Sequence, residues 1–292
     1  MRIDLFVIDG QNDFCDNNGA LYVDQAGEEA QNVANMIDRL VNPKSQFGHK
    51  INKIHATLDS HHYLDGAHNI SWKNGDTGKP ADPFTIVSHQ DVVDQRFVPS
   101  FSMGVWEGQV VTALEWAKNY TKALEDNGRN QLRLWPPHCK IGDWGQQVYP
   151  ILSECYKRWC VATNGWINWV TKGQWAWTEH YSAIIADVPD PTRPETQLNA
   201  GVVNDAANAD MILWAGWAGN FCLKWTAKDA VDMFGEKDNE FVKKSVFFTD
   251  ACAPVTSPDP DINKDLLKMR QDFLDEMDNK GATLTTTTQF LT

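Results

Sequence analysis

Residues 211–223 read MILWAGWAGNFCL, and this stretch decides the fold class. The apolar run 211–216 has the length and continuous hydrophobicity of a buried strand. The small-residue segment 217–220 reads as a tight turn, and Phe221 onward as a helix with Ala227, Ala230, Val231 and Phe234 on its buried face. The turn puts Cys222 at or near a helix N-terminus, where unpaired amides and the helix dipole favour a thiolate. The same amides can hold an oxyanion formed beside the sulfur.

Outward from this unit the pattern repeats. Residues 3–8 are a compact apolar strand ending at Asp9, and Ala30, Val33, Ala34, Ile37, Leu40 and Val41 recur at helical spacing. Residues 51–58 are a second strand with Asp59 at its end. Strand, helix and strand in that order imply a right-handed crossover and a parallel pair, with both acids at the carboxyl edge of the sheet. Further on, the pattern predicts a helix over 146–156, a strand over 166–171 ending at Lys172, and a helix over 195–208. A strand over 245–249, a helix carrying Leu266, Met269, Phe273 and Met277 that stops near Gly281, and an edge strand over 283–288 complete the chain. The expected architecture is α/β: a doubly wound, mostly parallel six-stranded sheet with helices on both faces, formed by residues 1–292 as one domain.

Residues from about 73 to 130 break the rhythm and read as an insertion. An irregular stretch with Pro80, Pro83 and Pro99 leads to a helix with Val110, Ala113, Leu114, Ala117 and Leu124 on one face, ended by Asn127-Gly128. The insertion looks too short for a full core of its own.

A formal charge of −13 argues against a nucleic-acid or anionic-membrane partner. No apolar run approaches the roughly 18 residues of a membrane span, and the start MRIDLFVIDG lacks the marks of a signal peptide. A cytoplasmic location is expected. The 6 cysteines, Cys15, Cys139, Cys155, Cys160, Cys222 and Cys252, are too dispersed for a disulfide framework, and no CxxC pair suggests a zinc knuckle.

Three ionisable residues, Asp9, Lys172 and Cys222, fall at or next to strand ends. A thiol needs a base to take its proton and a cation to hold the thiolate, so the trio has the parts of a covalent mechanism. Each also has a plain reading: a turn acid, a solvated lysine, a packed cysteine. A second group is Asp59, His61, His68 and His138. Asp59 and His61, two apart, project to the same side of an extended segment, and carboxylate with imidazole suits Zn2+ or Fe2+. Isolated histidines are also common as satisfied surface or core residues, and His62 fits that reading.

The segments FVIDGQNDFC (6–15), LDSHHYLDGAHNISW (58–72), LWPPHC (134–139), WVTKGQWAWTEHYSAI (169–184) and WAGWAGNFCLKWTAKDA (214–230) resemble, in order and character, the nicotinamidases (pyrazinamidases) of the isochorismatase-like cysteine hydrolases. The resemblance covers nearly the whole chain outside the insertion. It implies a catalytic Asp9, Lys172 and Cys222, an oxyanion hole from the amides of Ala218 and Cys222, and a non-proline cis peptide at Trp217–Ala218. It also implies ring-stacking by Phe14 and Trp135. One divalent ion, Zn2+ ahead of Fe2+ or Mn2+, would be held by Asp59, His61 and His138, with His68 a ligand in part of the family. The implied reaction is hydrolysis of nicotinamide, a small-molecule amide, to nicotinic acid and ammonia through a Cys222 thioester, in NAD salvage. Another amide or carbamoyl hydrolase of the superfamily, and a catalytically idle binding protein, are the competing readings. A homo-oligomer is left open.

Two departures stand out. Gly10 takes a place usually apolar, and Gly219, Asn220 and Phe221 precede the cysteine where Thr-Glu-Tyr is frequent. Neither removes a catalytic atom. The insertion enters beside the presumed pocket as a lid, an oligomer contact or a remodelled substrate wall, with Trp106 as packing.

Overall fold

Ile3–Ile8 is strand β1 of the computed structural model, which describes residues 1–41, 50–235 and 240–291. All of its side chains are buried, as in a strand covered on both faces, and the one charged side chain among them, Asp4, is paired with Arg2. The other strands are β2 (Ile51–Asp59), β3 (Asn168–Lys172), β4 (Met211–Gly216), β5 (Ser245–Phe248) and β6 (Thr283–Thr285). They form one six-stranded sheet in the order β6-β5-β4-β1-β2-β3, and every pairing is parallel. The threonine-rich β6 lies at an edge, as its sequence predicts.

The principal helices are α1 (Ala26–Val41), α2 (Ala113–Asp126), α3 (Pro150–Thr163), α4 (Ala200–Asn208), α5 (Cys222–Gly235) and α6 (Pro260–Asn279). From β1 the chain winds outward through α1 to β2, then returns across the sheet and winds the other way from β4 through α5 to β5. Right-handed crossovers in opposite directions put helices on opposite faces. They also leave a topological switch point between β1 and β4, where the strand ends part and a ligand crevice forms. Asp9 leaves one of these strands and Cys222 follows the other. Gly216 closes β4 with φ +128°, and a Cβ there would lie 2.2 Å from the Ile8 carbonyl oxygen. The bare backbone lets the Trp217 N–H donate to that carbonyl at 3.0 Å, which holds the two strand exits together.

Several boundaries differ from the sequence reading. Gln146 belongs to a 3-10 turn, and α3 starts later because Pro150 occupies its first turn, ending where Asn164 turns left-handed (φ 55°). Glu195 lies in another 3-10 turn, and α4 starts after Asn199, whose side chain accepts the Val202 N–H at 3.2 Å.

The insertion differs most. It is built from the antiparallel pairs Trp72–Asn74 with Phe97–Pro99 and Ile86–Val87 with Leu132–Arg133, the hairpin Met103–Trp106 with Gln109–Thr112, and α2. Val110, expected on the helix face, is a hairpin residue and 71% exposed. Trp116, Tyr120 and Leu124 of the insertion form a small cluster with Trp72 and Leu134, which flank it. Its strands are too short to show a period, and a few large aromatic rings do the burying. Trp106 packs against this cluster, as read from sequence. Among the described residues no helix is long and apolar enough to cross a membrane.

Candidate active site

Asp9 leaves β1 with φ 49° and a fully buried side chain. The Asp9 N–H donates to Thr57 Oγ1 at 2.9 Å, and the Thr57 hydroxyl donates back to Asp9 Oδ1. Lys172 ends β3, and its Nζ lies 2.9 Å from Asp9 Oδ2, 3.0 Å from Asp59 Oδ1 and 3.4 Å from Cys222 Sγ. The contact to Asp9 is a buried ion pair, with both side chains almost wholly enclosed. Two strand-end carboxylates and the first residue of α5 thus meet around one buried ammonium.

Burial pushes the Cys222 thiol well above its ordinary range, with Lys172 opposing and Asp9 adding to the shift. Desolvation of the sulfur thus acts against the thiolate that the helix terminus and the nearby cation favour. Burial also raises the Asp9 carboxyl, against the pull of Lys172. For Lys172, burial disfavours the charge, but Asp59, Asp9 and Cys222 outweigh it and hold the ammonium well above the usual lysine range. Burial acts to raise Asp59, yet His61 and Lys172 beside it bring it well below the usual carboxylate range.

Asp59 also faces the histidines. Its Oδ2 is 3.0 Å from His61 Nε2 and 3.2 Å from His138 Nε2. His138 Nδ1–H donates to the Pro136 carbonyl at 2.9 Å, which turns Nε2 inward, and His61 Nδ1 is 3.0 Å from Asp65 Oδ2. His61, His68 and His138 have ligand atoms all within 4.8 Å of one another. Burial, with His61 and His138 adjacent, takes the His68 imidazole down to about 2, so it is neutral. Both of its ring nitrogens are buried without a hydrogen-bond partner. Converging imidazoles, one of them neutral and orphaned, beside a carboxylate fit a divalent cation.

Cys222, Ala218, Asp59 and His138 line a narrow cavity of about 20 Å³, walled by Phe14, Trp135, Tyr181 and Phe221. Phe14 meets His138 edge-on, with ring centroids 5.5 Å apart, and the Trp135 indole N–H donates to Tyr181 Oη at 3.0 Å. The Trp217–Ala218 peptide is cis. Among the described residues neither the Ala218 nor the Cys222 backbone N–H has an acceptor. Two free amides beside a thiol are the donors an oxyanion would need.

Four residues entered only with the structure. Thr57 holds Asp9. Gln11 clamps Asp59 by accepting its N–H and donating to its carbonyl, each at 2.8 Å. Asp65 orients His61, and its place four residues on from His61 was a usable signal. Glu179 lines the cavity, with burial pushing its carboxyl up to about 8. Its backbone N–H donates to Tyr120 Oη of α2 at 2.8 Å, so the insertion braces this wall. No local pattern marks Glu179, because its place depends on the loop path after β3.

Fold and site together define a doubly wound α/β protein with a thiol, a carboxylate, an ammonium and an imidazole cluster at its switch point. No family model and no curated relative matches the chain. Solved structures do match. The yeast nicotinamidase bound to the inhibitor nicotinaldehyde aligns with TM-score 0.60 at 18% identity, over 97% of this chain and 99% of that one. A nicotinamidase/pyrazinamidase from Acinetobacter baumanii gives TM-score 0.60 at 18% identity, over 99% and 98%. A Pyrococcus horikoshii pyrazinamidase in complex with zinc gives TM-score 0.52 at 15% identity, over 98% and 99%. The chain has the fold of the nicotinamidases and pyrazinamidases.

Proposed function

We propose that this chain is a metal-dependent nicotinamidase, hydrolysing nicotinamide to nicotinic acid and ammonia in the cytoplasm. The observation that carries the reading is Lys172, whose Nζ stands 2.9 Å from Asp9 Oδ2 and 3.4 Å from Cys222 Sγ beside three clustered imidazoles. Asp9 takes the thiol proton through Oδ2, and the sulfur attacks the amide carbonyl carbon. The Ala218 and Cys222 amides hold the oxyanion. Asp9 returns the proton to the amide nitrogen, ammonia leaves, and a thioester remains on Cys222. Asp9 then accepts a proton from the water that cleaves the thioester, and hands it back to the sulfur. Lys172 keeps Asp9 ionised at the start and compensates the thiolate as it forms. Phe14 and Trp135 hold the flat ring between them.

His61, His68 and His138, with Asp59, would hold the divalent ion, Zn2+ ahead of Fe2+ or Mn2+. When bound, it supplies a Lewis acid able to take up the pyridine nitrogen. A charge of −13 supports a small-molecule partner rather than nucleic acid or an anionic membrane. Ammonia release from nicotinamide, measured for the wild type and Cys222→Ala, tests the proposal: equal rates in the two would eliminate the covalent scheme.

The second reading, another amide or carbamoyl hydrolase, is favoured by the wall that Tyr120 and Glu179 build. A protein that purifies metal-free, ignores nicotinamide and cleaves another amide through Cys222 would establish it.

A further inference from the structure

Glu29 of α1 does not line the cavity around Cys222. It sits at the bottom of a separate open cleft, among Asp24, Lys268 and Arg270, and is only 7% exposed. Its Oε2 accepts two hydrogen bonds, one from the Trp217 indole N–H at 2.8 Å and one from the Ala253 backbone N–H at 2.8 Å. These donors stand on the two sides of the turn that leads to Cys222. Trp217 opens the turn. The Ala253 carbonyl accepts the Gly219 N–H at 2.9 Å, in the middle of it. The turn lies hard against this segment, since a Cβ on Gly219 would come within 2.0 Å of the Cys252 carbonyl oxygen. One carboxylate oxygen therefore ties the first residue of the turn to the backbone against which its centre rests.

We propose that Glu29 is a positioning residue for the oxyanion hole, holding the turn 217–220 so that the Ala218 and Cys222 amides converge beside the sulfur. A carboxylate suits this task because one oxygen can accept two N–H groups at once, and charge-assisted bonds hold direction more firmly than neutral ones. Glu29 touches no substrate atom and acts through Trp217 and Ala253. As a mechanism, this rests on the function proposed above; as a statement about the turn, it does not.

The test separates the two. Glu29→Leu removes the acceptor, while Glu29→Gln keeps an oxygen able to accept both bonds. Ammonia release from nicotinamide should show kcat lower by roughly tenfold or more in Glu29→Leu, within the range for impaired oxyanion donors, with KM nearly unchanged. Glu29→Gln should recover most of that loss. Hydrogen exchange across residues 216–222, read without substrate, should quicken in Glu29→Leu and stay near wild type in Glu29→Gln. Where Glu29→Leu does not fold, Trp217→Phe carries the test, because it keeps an aromatic ring and removes one of the two bonds. Unchanged exchange in the folded variant overturns the positioning role. So does a kcat loss in Glu29→Leu that Glu29→Gln fails to recover. Faster exchange in a protein whose wild type ignores nicotinamide keeps the positioning of the turn and removes the proposed substrate.

Discussion

Replacing Lys172 with methionine keeps the length and packing of the side chain and removes the charge that three strand ends share. In the wild type the ammonium lies 2.9 Å from Asp9 Oδ2 and 3.0 Å from Asp59 Oδ1, all three groups being almost wholly buried. At an effective dielectric of about 20, each contact is worth roughly 6 kcal/mol of Coulomb attraction. Desolvation of the three charges consumes much of that sum, and the net loss on removing one partner of a buried pair is about 3–5 kcal/mol. The pH dependence sharpens the expectation. Asp59 is depressed in the folded wild type, so its contribution is complete above the unfolded carboxylate value and lost as pH falls through the folded one. Asp9, raised by burial, works in the opposite sense and partly offsets it. Without Lys172 both carboxyls rise, and the variant regains stability as acid protonates them. The deficit should therefore be largest near pH 7.5 and shrink towards about pH 4, the ordinary carboxylate range. Urea unfolding of metal-stripped wild type and Lys172→Met across this range measures it, with m unchanged. A deficit under about 1 kcal/mol at pH 7.5, or one that widens towards acid, would refute the reasoning, because either means that the carboxylates do not depend on Lys172.

Other outcomes follow from the same geometry. Tyr120→Phe removes the acceptor of the Glu179 N–H and should lower stability by about 1–3 kcal/mol in thermal unfolding, while raising KM more than it lowers kcat. Chelation should abolish turnover and Zn2+ restore it. Saturating Zn2+ at about 100 times its Kd should also stabilise the fold by roughly 2.7 kcal/mol, and this shift should shrink in His68→Ala. Gly66→Ala would place a Cβ 2.7 Å from the Trp116 ring, and overpacking there should cost about 1–3 kcal/mol, read as a lower Tm.

Much of the site was legible because each part announces itself locally. A continuous apolar run bounded by an acid or a turn marks a buried parallel strand and its carboxyl end, so Asp9, Asp59 and Lys172 could be assigned to one edge. His61, two residues beyond Asp59, shares its face for the same reason. Short and irregular segments carry no such period. The cluster at the insertion was not read because Trp72, on a strand of 3 residues, meets Trp116 and Tyr120 of α2 only in the tertiary structure.

The sequence by itself determined the α/β class, the parallel sheet and the edge at which the ionisable residues gather, since apolar period and strand order are local properties of the chain. Only the tertiary structure decided the rest. It put Thr57 on Asp9, Gln11 on Asp59 and Glu29 behind the turn, across gaps of dozens to nearly two hundred residues that no periodic pattern spans. It also decided the surroundings of Cys222: the helix terminus favours a thiolate, but burial, which depends on everything packed around the sulfur, pushes the thiol the other way.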